Sequence, residues 1–410
     1  MLNTPMLSAK VVPATKVFII TCITLLFWLL HTNQSSSQSA ATLLLLFAPF
    51  SLFFIKDSQI IKHKSLILTF SLIIFFAVFN FLILTQHEFN KQALASYRAL
   101  FFWLLFPIAS VLIWKAKPSK QWIFIVFSLA AIFSLSPVIR DYINGIHRGA
   151  SSGHPIFWGN IALCSGVIAF ALRTSIPGKS WTNYLGYIAL VCGITASIWS
   201  QTRGGWISIP VSFLLLIALR SITKLQATCA IVIIIIAASS IDTIKNRIAY
   251  TFQFSNIFTE EIKLGNSTQV RLDMWQAAFE IFKQKPFFGN GFNYYQKGAQ
   301  ELVSKGEAKA WVSQFEKPHN EYFNTLVSSG IVGLLTLGSI IFSIMFILYK
   351  FPKNSPFKLA GYLLVTQFLV FSISEVFFST KLTIVYFCIA SALIIYSGLI
   401  DSEDSKLDNQ

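Results

Sequence analysis

Three side chains stand out for the chemistry they could share: Arg203 in the turn QTRGGW, Arg271 in NSTQVRLDMW and His319 in KPHNEYFNTLVSSGIVG. Guanidinium groups clamp phosphate oxygens in a planar, two-pronged fashion. A neutral imidazole at a water–membrane boundary is a competent general base for a hydroxyl. Together they suit an enzyme that handles a lipid-linked phosphate, with the arginines stabilising charge on the group that departs. Each also has a plainer reading. Arg203, between Trp199 and Trp206, fits an interface arginine in an aromatic belt. Arg271 could pair with Asp273 or Glu280 or anchor a lipid phosphate, and His319 could be a surface residue at a helix start.

The segment RGASSGHPIFWGN adds Arg148 as a further phosphate contact and Arg140 as a weaker one, while His154 before Pro155 reads as structural. Gly204 and Gly205 after Arg203 would let backbone approach a ligand closely. No Asp-x-Asp or Glu/His cluster sits in the loops of this set, so no metal site and no cofactor are expected.

The elements that must position these groups are membrane helices. Apolar residues make up 54% of the chain and charged ones 12%, with 40 Phe and a mean hydropathy of +0.63. A soluble domain would carry about twice that charge. Repeated apolar runs, long enough to cross about 30 Å of hydrocarbon, predict an all-α, polytopic membrane protein. About twelve spans are expected, near 15–31, 40–55, 65–85, 96–114, 121–139, 154–172, 181–199, 205–220, 225–241, 321–349, 358–377 and 382–400. The first is read as an uncleaved helix, because another span follows its SSSQSAA stretch. The five cysteines lie in apolar runs without metal-type spacing and read as small buried thiols.

Alternation of Lys and Arg sets the orientation. Sixteen fall on the side of the N-terminus, six in the short loops and span edges of the other side, and ten in one long loop, which the bias largely exempts. Both termini are therefore expected in the cytoplasm, with Arg203, the long loop and His319 facing outward. The formal charge of +15 becomes a topology signal, with attraction to anionic lipid, and nucleic acid is not needed as a partner. The expected organisation is membrane helices over 1–241, a mainly helical outward loop over 242–319 that caps the site, membrane helices over 320–400, and a short disordered tail over 401–410.

Within the loop, Asn266, Ser267 and Thr268 offer N-caps for a helix running to about Gln284, where Pro286 and Gly289 stop it. Trp275 at i+4 puts Arg271 on the apolar edge of that helix. Pro318 is expected at the first helical position of a span of about thirty residues, too long for the bilayer alone. The span interiors are almost free of charge, Glu375 near a span end being the exception.

Three segments together resemble the bacterial O-antigen ligases, within the larger group that also holds O-antigen polymerases and O-linked oligosaccharyltransferases. They are the TRGG turn, the pattern N-S-x-x-x-R-L-x-M-W followed by PFFGNG, and PHN opening a span with Gly330 eleven positions after His319. The likeness is densest over about 140–340. Trp275 and Ile207 stand where the ligases often have Leu, an apolar exchange.

The resemblance implies transfer of a glycan from undecaprenyl diphosphate to the lipid A–core of lipopolysaccharide, at the periplasmic face of the bacterial inner membrane and without metal. His319 would deprotonate the acceptor hydroxyl, and Arg203 and Arg271 would bind the diphosphate. Transfer to Ser or Thr of a protein is the nearest alternative, then glycan polymerisation. A transporter of lipid-linked glycan is the alternative from another class, but it would place charge at mid-membrane.

Overall fold

The computed structural model describes residues 6–32, 42, 59–87, 90–146, 153–239 and 267–407. Every regular element among them is helical. In chain order the α-helices are α1 Met6–Thr32, α2 Lys64–Gln86, α3 Lys91–Leu100, α4 Leu105–Ala116, α5 Lys120–Phe133, α6 Leu135–Ile143, α7 Pro155–Leu172 and α8 Ser180–Trp199. There follow α9 Arg203–Ala218, α10 Lys224–Ser239, α11 Ser267–Gln284, α12 Tyr295–Ser304, α13 Glu321–Tyr349, α14 Pro356–Phe371 and α15 Lys381–Leu407.

Over its described residues each expected apolar window coincides with helix except 40–55, of which only residue 42 is described. Among the described residues, six helical stretches are long and apolar enough to cross a membrane: Lys64–Gln86, Lys91–Ala116, Lys120–Ile143, Pro155–Ser175, Glu321–Tyr349 and Lys381–Glu403. Shorter apolar helices cover Lys16–Thr32, Gly204–Ala218, Lys224–Ile233 and Pro356–Phe371. Their starts carry local signals. Asn90 and Ser119 cap α3 and α5 by accepting from Ala93 N (2.7 Å) and Trp122 N (3.2 Å). Proline opens α7 and α14, where its missing N–H costs nothing.

At the centre, α7 is buried along almost its whole length and α8 presses directly on it. A Cβ on Gly166 would lie 2.6 Å from Ala189 O, and one on Gly193 would lie 2.6 Å from Ala162 O. Small residues at this spacing let two membrane helices touch backbone to backbone, where dispersion replaces the absent hydrophobic drive. His31 is part of this core. Its ring bonds Phe27 O (2.7 Å) and Ser165 Oγ (2.9 Å), and Ser165 in turn bonds Tyr386 Oη (2.7 Å). All five cysteines are unpaired, and Cys229 differs from the expected buried thiol in being exposed.

The helix α13 is not the single rod that its length predicts. At Gly330 the backbone turns to φ 65°, ψ −165°, and the ladder of hydrogen bonds breaks. The chain 286–291, read above as PFFGNG, fills the gap from outside. Ile331 N donates to Pro286 O (2.9 Å) and Val332 N to Phe287 O (3.2 Å). In the other direction Asn290 N donates to Val327 O (2.7 Å) and Gly291 N to Ser328 O (3.0 Å). A membrane helix can be interrupted only where other protein groups satisfy the freed backbone, and this segment does so. Any side chain at 330 would collide with Phe287 O, so both the dihedral and the contact require glycine.

The described part of the long loop folds on itself. Met274, Ala278 and Ile281 of α11, Tyr295 and Leu302 of α12, Val312, and Val327 of α13 form a second apolar core. The helix expected to end near Gln284 does so. The acidic tail corrects the expectation of a disordered end: α15 runs on through Leu407. Lys120 pairs with Asp401, and His63 lies 3.6 Å from Glu403.

Candidate active site

The site grows from the junction between the end of α14 and the start of α13. Past Phe371 the chain turns back, with Ser374 N and Glu375 N both bonding Phe371 O (3.0 and 3.1 Å). Two bonds tie this turn to the entry of α13: Glu321 N donates to Ser372 O (2.9 Å) and Asn320 Nδ2 to Ile373 O (3.0 Å). Asn320, not Pro318, opens the helix, accepting from Tyr322 N (2.9 Å) and Phe323 N (3.2 Å). The expected first-turn position of Pro318 and His319 is therefore corrected: both precede the helix.

His319 takes a left-handed backbone (φ 48°), a conformation that costs a residue with a Cβ on the order of 1–2 kcal/mol. The clamps on either side hold it there. Trp275 Nε1 donates to Pro318 O (3.1 Å) and the Trp275 ring stacks on Phe323. The result aims the imidazole at Glu375, with Nδ1 2.7 Å from Oε2, while Phe315 meets the ring edge-on at 5.8 Å. The Glu375 side chain is 4% exposed and that of His319 34%. Burial alone would push the Glu375 carboxyl up, but the hydrogen bond and charge of His319, the Val376 N–H and the charge of His154 hold it below the usual carboxylate range. A carboxylate facing Nδ1 keeps the proton there, and the lone pair then belongs to Nε2. Such a pair can take a proton from a hydroxyl.

Glu375 was passed over in the sequence as a lone charge at a span end. The signal that could have found it was its depth, since a buried carboxylate needs a partner. His154, read as structural, caps α7, stacks on Phe157 at 4.3 Å and also bears electrostatically on Glu375.

The two arginines lie on separate elements. Arg271 lies one turn before Trp275 on the same face of α11, the face docked to Pro318, and is half-buried. Of the two carboxylates nearest in sequence, Asp273 accepts from Gln269 (3.0 Å), Lys309 (3.2 Å) and Trp311 (3.1 Å), and Glu280 pairs with Lys283. Arg203 is the first residue of α9. The next residue, Gly204, packs so closely on Ser374 Oγ that a Cβ would collide with it, which sets the start of α9 beside the turn that carries Glu375. Gly205 likewise abuts Ser197 and Asn160. The glycine pair thus serves contact between helices, where the sequence suggested contact with a ligand. Arg140 is exposed on the last turn of α6, which packs against α5 and α8. Arg148 lies outside the described residues.

A cleft of about 30 Å³ is lined by Asn80, Lys317, Glu321, Asn324, Ser328 and Ser379 together with apolar residues such as Phe76, Leu100 and Leu337. His319 does not line it. Glu321 is wholly buried there and accepts from Phe378 N (2.7 Å), Ser379 Oγ (2.5 Å) and Thr325 Oγ1 (3.2 Å). Its oxygens are thereby occupied in holding the α14–α15 turn to α13.

Comparison with known proteins bears on the same segment. Residues 188–338, which carry Arg203, Arg271 and His319, match a family model described as O-Antigen ligase. A Haemophilus influenzae protein described as "Uncharacterized protein" is 28% identical over 260 residues, 60% of this chain and 65% of that one. A "ComP-specific O-oligosaccharyltransferase" of Acinetobacter baylyi is 26% identical over 250 residues, 57% of this chain and 43% of that one. The chain thus spans less than two thirds of the length of each relative. Residues 188–338 are similar to the O-antigen ligase family, and one relative of the chain is described as an O-oligosaccharyltransferase.

Proposed function

We propose that this protein is a multi-pass glycosyltransferase of the bacterial inner membrane that moves a finished glycan from undecaprenyl diphosphate to the lipid A–core of lipopolysaccharide. One observation carries the reading: a buried carboxylate–imidazole pair, Glu375 and His319, stands where the start of α9 and the Arg271 face of α11 both reach. His319 Nε2 takes the proton of an acceptor sugar hydroxyl, whose oxygen attacks the anomeric carbon. The bond from that carbon to the diphosphate oxygen breaks, and undecaprenyl diphosphate leaves with the electron pair. Arg203 and Arg271 bind the diphosphate and stabilise the charge it gains. Arg148 and Arg140 are lesser contacts. One direct displacement inverts the anomeric centre, and isolation of a covalent glycosyl-enzyme would contradict it.

Twelve spans with both termini in the cytoplasm and the site at the periplasmic face complete the picture. Residues 1–241 and 320–400 form the membrane part, 242–319 the periplasmic cap and 401–410 the cytoplasmic tail. Helix ends grouped by the Lys/Arg alternation support this: Thr174, Arg220 and Lys353, from three separate turns, meet at the end of the bundle opposite His319. Metal is not required, because arginines supply the positive charge, so transfer should survive a chelator.

The Acinetobacter relative favours a second acceptor, a protein Ser or Thr. The deciding experiment offers purified protein an undecaprenyl-diphosphate glycan with lipid A–core and a pilin-like protein in competition. Product on lipid A–core supports the ligase; product on protein alone overturns it in favour of the second reading.

A further inference from the structure

The segment that seals the break at Gly330 uses its backbone to do so, and its two aromatic side chains are left over. Phe287 and Phe288 belong to no helix and are 66% and 56% exposed. Neither lines the cleft beside Glu321. Phe279, near the end of α11, is exposed too, with Lys283 Nζ 5.4 Å from its ring centroid, and Lys285 is exposed next in the chain. An apolar surface of this kind on a turn needs something to cover it.

Two helices measure how deep the turn sits. On α13, Phe287 O accepts from Val332 N (3.2 Å), so Phe287 stands level with that residue. From Val332 to Tyr349, at the far end of the helix, the rise is about 26 Å. The second measure comes from α2, which runs antiparallel to α13. Lys350 Nζ donates to Ser65 Oγ (2.8 Å) at the far end, and Ser329 Oγ to Asn80 Oδ1 (3.0 Å) beside the break. The rise from Ser65 to Asn80 is about 22 Å, and α2 continues for about 9 Å more, to Gln86.

Lys64 and Lys350 mark the far interface. The hydrocarbon core beyond them is about 30 Å thick, and both helices are long and apolar enough to cross it. By either measure Phe287 lies on the hydrocarbon side of the boundary at the His319 end, within about 10 Å of it. Tilt of the helices would shorten both rises and carry the turn deeper. The chain leaves this depth again at Gly291, where an added Cβ would lie 2.7 Å from His87 Cγ, just past the end of α2.

We infer that residues 286–289 anchor the loop in the membrane: Phe287 and Phe288 enter the acyl chains of the leaflet at the His319 end, and Lys283 and Lys285 stand among its phosphates. Apolar rings below and lysines at the headgroups are the arrangement that a membrane–water interface favours. Lipid therefore covers this face. The inference rests on the helices crossing a membrane and is independent of the transfer chemistry.

The test uses the full chain, purified and reconstituted in vesicles of phosphatidylcholine and phosphatidylglycerol. Some of the phosphatidylcholine carries a diazirine midway along one acyl chain. Light turns the diazirine into a carbene that inserts into whatever lies beside it, and mass spectrometry locates the adducts. Trypsin spares the Lys285–Pro286 bond and releases Gln284–Lys297 as one peptide. Adducts are expected on Phe287 or Phe288 in that peptide and on α13, with none on the α12 peptide Gly298–Lys305. Phe287→Asp/Phe288→Asp leaves the backbone bonds to α13 in place. It should lower the yield on Gln284–Lys297 about tenfold or more, since a carboxylate at hydrocarbon depth is strongly disfavoured. Should that variant fail to fold, the adducts on the parent protein decide. The inference is overturned if α13 is marked and Gln284–Lys297 is bare, as with this face in water or covered by a second copy. It is overturned equally if only a diazirine on the headgroup reaches the peptide, or if the folded variant is marked as strongly as the parent.

Discussion

Replacing Glu375 with Gln tests the pairing with His319 more cleanly than removing the histidine. His319→Ala would leave a carboxylate that is 4% exposed without its partner, and an uncompensated buried charge costs about 3–5 kcal/mol in stability. Gln keeps the shape and removes the charge. If its oxygen faces Nδ1, the 2.7 Å hydrogen bond survives but nothing opposes the positive charge that the ring gains as it accepts a proton. A charge-assisted bond is worth about 1.5–3 kcal/mol, which corresponds to roughly 10- to 150-fold in rate. If the amide NH2 faces Nδ1, the ring is forced into the tautomer with its proton on Nε2, and the base is lost. In serine proteases the corresponding change costs about 10⁴-fold. Turnover is therefore expected to fall between about 10- and 10⁴-fold, with KM for the lipid-linked donor unchanged, because Glu375 does not hold the diphosphate. Glu375→Asp, which keeps the charge but is one methylene shorter, should recover part of the loss. The assay is transfer of a labelled glycan from undecaprenyl diphosphate by purified protein over a range of donor concentrations. Turnover of the Gln variant within about threefold of the parent would refute the argument, as would a loss confined to KM.

Arg203→Ala and Arg271→Ala should each lower turnover by about 10²-fold or more, the scale of removing one donor from a developing oxyanion; wild-type rates for either remove it from the leaving-group site. Gly330→Ala forces a Cβ into Phe287 O at a positive φ and should destabilise the protein by roughly 2 kcal/mol or more, seen as a lowered melting midpoint in detergent. Acid stability should depend on Glu375. Its carboxyl titrates below the ordinary 4.5 in the folded chain, so its contribution is complete above pH 4.5 and disappears as the pH falls through the lower folded value. Glu375→Gln should flatten that part of the acid-unfolding curve, and an unchanged curve would count against the pairing.

Helices and the polar outliers were the legible part of this chain. Apolar windows located the helices because a bilayer imposes their length, and the expected start of α11 at 266–268 and its stop before Pro286 agree with its bounds. Arg271 and His319 could be singled out because charge is scarce in so apolar a sequence. What stayed hidden depends on contacts between distant segments. Glu375 lies fifty-six residues after His319, and no spacing rule pairs a span-end carboxylate with a pre-helical imidazole. The glycines at 204 and 205 signal close approach, but the sequence does not say to what. The motif PFFGNG and the Gly330 that follows His319 by eleven residues were recognised as a pattern, and only the fold explains why both are needed.

That mutual dependence has a consequence for how the protein is made. Residues 286–291 leave the ribosome before Gly330 does, so the plug for the break exists before the break. The bonds that seal it join residues about forty positions apart, a short loop to close beside the separation between Arg203 and Glu375, and short loops close early. Residues 286–291 and α13 can therefore lock together as the chain emerges, leaving α14 and α15 to dock against a surface already formed.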